Sequence, residues 1–82
     1  MFVVLPQSLE KLEVKERILQ NKISIETERA RDFTKSRNKK AAYECLKRKT
    51  FYESQMEQLE IFRLQVNDQM RMLKDAAEMT EP

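Results

Sequence analysis

Eighty-two residues, 37% charged and 40% hydrophobic, with no glycine and only two prolines, allow at most one small domain built from long helices. The lack of glycine and histidine, and the single cysteine, exclude a phosphate-cradling loop, a dinucleotide fingerprint, the usual zinc ligands, a cysteine–histidine pair and an internal disulfide. Nothing gathers the carboxylates and lysines into a concave site, so the chain reads as non-enzymatic and needing no cofactor or metal.

In chain order, MFVVLPQ comes first. It is apolar for five residues, without a basic flank or a small-residue cleavage site, so it reads neither as a signal peptide nor as a membrane span. A short tail over 1–7 is expected. Together with the reduced thiol, this places the chain in the cytosol. Ser8 then precedes an amphipathic run and is the expected N-cap of a first helix over about 8–34. Leu9, Leu12, Leu19, Ile23, Ala30 and Phe33 recur at alternating three- and four-residue steps, once Glu16 and Glu26 are taken as polar members of the stripe. Val14, Ile18 and Ile25 form a partial second stripe, and an apolar face that wide calls for more than one neighbour.

Periodicity lapses at TKSRN, Thr34–Asn38, so a turn is expected at about 35–38. Asn38 can serve as a left-handed helix terminator or as the next N-cap. A second helix over about 38–78 carries Ala42, Cys45, Tyr52, Met56, Leu59, Val66, Met70, Leu73 and Ala77 in heptad register, with Lys49 and Arg63 as polar members. A tail over 79–82 follows. At about 1.5 Å per residue the helices are roughly 40 and 60 Å long. The fold class is therefore all-α, a two-helix antiparallel hairpin with a longer second helix.

Folding the arms so that Phe33 meets Ala42 brings Ala30 to Cys45, Ile23 to Tyr52, Leu19 to Met56 and Leu9 to Val66. Polar Glu26 then faces polar Lys49, a pair expected to fix the register, and Glu16 lies one layer from Arg63. Val66, Met70, Leu73 and Ala77, at or past the end of the first helix, are the candidate stripe for self-assembly or a partner. Cys45, Met56 and Met70 read as seam residues rather than as a reactive thiol or a plastic groove.

Charge supplies the other candidate site. Arg29–Lys49 holds nine basic residues (Arg29, Arg31, Lys35, Arg37, Lys39, Lys40, Lys47, Arg48 and Lys49) against Asp32 and Glu44. That local net of +7, in a chain of total +2, leaves −5 for the rest. Folding gathers this charge at one tip, which suits an anionic surface. Phosphate attraction alone does not separate lipid from nucleic acid. The acidic arms argue against a nucleic acid lying along the hairpin, and Phe33, Tyr43, Phe51 and Tyr52 fall mainly at helical core spacing, so they do not form a stacking platform.

Read as text, IETERARDFTKSR (Ile25–Arg37) followed by NKKAAYECLKRKTFYESQMEQLEIFRLQVNDQM (Asn38–Met70) resembles the first helical hairpin of the Snf-seven (Snf7) family of ESCRT-III subunits, in its plant-type form. Asn38, Lys39, Ala41, Ala42, Cys45, Leu46, Lys47, Arg48, Lys49, Tyr52, Glu53 and Gln55 carry the likeness, which covers roughly Leu9 to Ala77. The resemblance implies a cytosolic protein recruited to endosomal membrane, where it polymerises with itself and other ESCRT-III subunits. It further implies a role in multivesicular body formation and vacuolar sorting, with the nine basic residues meeting acidic lipid. The chain differs from the family pattern in lacking a basic residue in MFVVLPQ and in having Glu60 where many plant-type members have glycine. It also lacks the later helices, so direct contact with the Vps-four ATPase is not expected. The rival expectation is a generic two-helix interaction module whose tip charge only keeps it soluble.

Overall fold

The computed structural model describes residues 6–80. It contains two helices, α1 (Pro6–Lys35) and α2 (Lys39–Thr80), packed antiparallel in a rod of 70 × 17 × 16 Å. Residues 1–5, which make up most of the expected N-terminal tail, and 81–82 of the C-terminal tail lie outside the described residues. α1 starts at Pro6, so Ser8 falls within its first turn and is not its cap. Proline suits that start, because its φ is preset for a helix and its missing N–H belongs to a turn whose amides have no helical partner.

The turn is built without glycine. Asn38 N–H donates to Phe33 O (2.8 Å) and Arg37 N–H to Thr34 O (3.1 Å), the paired bonds of a Schellman terminator. The left-handed residue that this motif needs is Arg37, at φ 62°. Asn38 then caps α2, its Oδ1 accepting from Ala41 N–H at 3.2 Å while its carbonyl accepts from Ala42 N–H. Of the two roles open to Asn38, it takes the N-cap, and the left-handed conformation falls one residue earlier.

The seam follows the heptad pattern. Leu12, Leu19, Ala30, Ala42, Cys45 and Val66 are buried, together with Glu26, and Leu9, Glu16, Ile23, Phe33, Lys49, Tyr52, Met56, Leu59 and Arg63 are half-buried. The small buried side chains Ala30, Ala42 and Cys45 lie toward the turn end of the seam, and the buried Leu12, Leu19 and Val66 lie farther from it. Val14, Ile18 and Ile25 are exposed, as a second apolar stripe without an internal neighbour would be.

Candidate functional site: a basic tip, a buried carboxylate and an apolar overhang

The nine basic residues of the Arg29–Lys49 zone do not play one role. Lys35, Arg37, Lys39 and Lys40 surround the turn, all exposed, and form no ion pair among the described residues. Lys47 is exposed as well, its Nζ 5.5 Å from the centre of the Tyr43 ring. Arg31 is tied to Glu28 at 2.9 Å, a pair exposed on both sides and of little energetic weight. Arg29 and Arg48 reach inward, and Lys49 is half-buried in the seam. The turn therefore presents a compact set of free cations, while behind it Arg48 ties α2 to α1 and Arg29 and Arg31 pair within α1.

What they hold is Glu26, a carboxylate only 3% exposed. Arg48 Nε donates to its Oε2 at 2.9 Å and an Arg29 guanidinium N–H to its Oε1 at 3.0 Å. Burial alone would push the Glu26 carboxyl up, but the hydrogen bonds and positive charges of Arg48 and Arg29 outweigh it and leave it below the usual value of 4.5. The Arg48 guanidinium is in turn stabilised in its charged form, first by its hydrogen bond to Glu26. It also donates to Cys45 Sγ at 3.3 Å.

The expected Glu26–Lys49 pair is thus corrected, since the partner across the seam is Arg48. The reason is geometric and chemical. Arg48 flanks the seam, and its long, weakly hydrated guanidinium can reach over the edge while keeping part of its surface in water. A lysine ammonium in the seam would have to surrender its hydration. Further along, an Arg63 guanidinium N–H donates to Glu16 Oε2 at 2.6 Å, although the Arg63 Nε is buried without a partner. Two polar layers therefore interrupt the apolar seam, one well satisfied and one only partly so.

The candidate stripe on α2 is also corrected. Val66 is 1% exposed and belongs to the hairpin core. Leu9, half-buried on α1, is the residue the register places opposite it, so the seam still has both walls at this layer. Met70 (44% exposed) and Leu73 (48%) do lie outside it, as does Ala77, and every described residue from Asn67 to Met79 is exposed. Sequence reading missed how many other apolar side chains face outward on α2, among them Leu46, Phe51, Ile61, Phe62 and Leu64. Their positions off the heptad were the available signal. Among the described residues, no helix is long and apolar enough to cross a membrane.

Comparison with known proteins supports a single lineage. The Snf7 family profile matches residues 3–81. Vacuolar protein sorting-associated protein 32 homolog 2 of Arabidopsis thaliana is 48% identical over 77 residues, covering 94% of this chain and 35% of the relative. Homolog 1 from the same plant is 49% identical over 77 residues, covering 94% and 36%. The chain thus spans about a third of the length of these relatives. No solved structure matches it.

Proposed function

The chain belongs to the Snf7 family, and on that premise we propose that it works as an ESCRT-III-type membrane-remodelling subunit in multivesicular body formation and endosome-to-vacuole sorting. In this reading its role is structural, not catalytic. It resides in the cytoplasm, meets acidic endosomal membrane through the hairpin tip, and assembles with like subunits through the apolar surface its own hairpin leaves exposed. The observation that carries the reading is the exposed cluster of Lys35, Arg37, Lys39 and Lys40, without an ion pair among the described residues, at one end of a 70 Å rod.

Magnitude explains why tip and assembly belong together. A basic residue near an anionic leaflet contributes roughly 1 kcal/mol. Four such residues supply about 4 kcal/mol, a Kd on the order of millimolar. One hairpin would therefore bind only transiently, whereas several joined through Met70, Leu73 and the outer face of α1 would bind with avidity. Exposure of Val14, Ile18 and Ile25 also favours a second reading, a helical interaction module that binds protein without touching membrane.

Flotation with acidic and with neutral vesicles separates the two. The variant to compare replaces Lys35, Arg37, Lys39 and Lys40 with glutamine, because changing Arg48 would disturb the Glu26 layer. Flotation with acidic vesicles only, lost in the variant, is the expected result. Equal behaviour of the two proteins, or no flotation of either, would overturn the membrane reading in favour of the module.

A further inference from the structure

The hydroxyl of Ser36 sits in the middle of the free cations. Ser36 is exposed in the turn, with Lys35 before it and Arg37, Lys39 and Lys40 after it. Its Oγ donates a single hydrogen bond, to Phe33 O at 3.1 Å. The neighbouring hydroxyl, Thr34, is turned back into α1 instead, donating to Ala30 O at 2.7 Å. The backbone around Ser36 is the least regular in the hairpin. It leaves α1 through a left-handed arginine, a conformation disfavoured by roughly 1 kcal/mol where glycine is usual.

We propose that Ser36 is a phosphoacceptor for a basic-directed serine/threonine kinase, and that its phosphate switches off the anion-binding tip. The regulatory half rests on the membrane reading above; the acceptor assignment does not. In the transfer, Ser36 Oγ bonds to the γ-phosphorus of ATP, the bond from that phosphorus to the β-bridging oxygen breaks, ADP leaves, and the hydroxyl proton passes to the kinase's base. The recognition chemistry is mutual: the flanking lysines and arginine suit an acidic kinase groove, and once the phosphate is in place the same side chains become its counter-charges.

The product carries about −1.5 to −2 charges and three strong acceptor oxygens. Arg37, Lys39 and Lys40 are close enough in sequence to close on it with charge-assisted hydrogen bonds, and the amino end of α2 adds its positive dipole. Cations that had faced outward are then satisfied within the turn. At roughly fivefold in affinity for each unit of charge near an anionic leaflet, vesicle binding should fall roughly 10- to 30-fold.

The test treats the 82-residue chain, and its Ser36→Ala variant, with ATP and a basophilic serine/threonine kinase. Phosphopeptides are mapped by mass spectrometry, and the modified and unmodified proteins are then titrated with acidic vesicles. Phosphate on Ser36, absent from the variant, with binding weakened 10-fold or more, is the expected outcome. Phosphate only on serines or threonines other than Ser36, or none at all, overturns the acceptor assignment whatever the vesicles show. Phosphate on Ser36 with undiminished vesicle binding overturns the switch. If the unmodified protein fails to bind acidic vesicles, the membrane reading and the switch built on it fail together, and the acceptor assignment is then decided by the phosphopeptide alone.

Discussion

Replacing Glu26 by glutamine removes one charge from the centre of the seam and little else. In the native hairpin this carboxylate accepts hydrogen bonds from both Arg48 and Arg29 while being almost wholly shielded from water. Hydrogen bonds to a charged group are worth about 1.5–3 kcal/mol each, and removing one partner from a fully buried ion pair costs about 3–5 kcal/mol. Here the two arginine side chains are 47% and 59% exposed and can turn back into water, so most of that penalty is recovered. The expected cost of Glu26→Gln is about 1–2 kcal/mol, with Tm lowered by about 4–8 °C for each kcal/mol, followed by circular dichroism. Combining it with Arg48→Gln should cost much less than the sum of the two single changes, whereas combining it with Lys49→Gln should be additive. Coupling to Lys49 and none to Arg48 would refute the assignment of the seam's polar layer.

The remaining predictions concern the same scaffold. The Glu26 carboxyl is held below its unfolded value in the hairpin, so its contribution is present above about pH 4.5 and lost as pH falls through the folded value. An acid titration of Tm should therefore be steeper below about pH 4.5 for the native chain than for Glu26→Gln. Arg37→Gly should raise stability by about 0.5–1 kcal/mol in thermal melts, because glycine takes the left-handed terminator position without a Cβ clash. Val66→Ala should cost about 2 kcal/mol, while Met70→Ala stays within about 0.5 kcal/mol in dilute solution, which separates the core from the overhang. Glu16→Leu with Arg63→Met, which replaces a partly satisfied polar layer with apolar packing, should raise Tm.

Much of this was legible in the sequence because heptad spacing is a strong, redundant signal. Every seam residue from Leu9 to Phe33 and from Ala42 to Val66 is buried or half-buried, and the turn falls in the TKSRN lapse. Misreadings arose where side-chain length or a helix end decided the outcome. Arg48 lies one position off the stripe, yet reaches Glu26 because a guanidinium spans more than its Cβ position implies. Val66 lies opposite Leu9 in the hairpin register, so it belongs to the last covered layer of the seam and not to the overhang beyond it. The basic zone was legible as a total charge but not as a division of labour, since spacing does not reveal which arginines are engaged internally. That division leaves Lys35, Arg37, Lys39 and Lys40 as the exposed cations at the turn, and the proposed membrane contact rests on them.

The most direct test of that claim is positional. An environment-sensitive fluorophore would be attached through Ser36→Cys at the tip, and separately through Glu60→Cys midway along α2, each in a Cys45→Ala background, and titrated with acidic vesicles. The account predicts a blue shift and protection from aqueous quencher at position 36, lost on raising salt, with little change at position 60. A larger response at position 60, or none at position 36 while the protein floats with the vesicles, would contradict tip-first membrane contact.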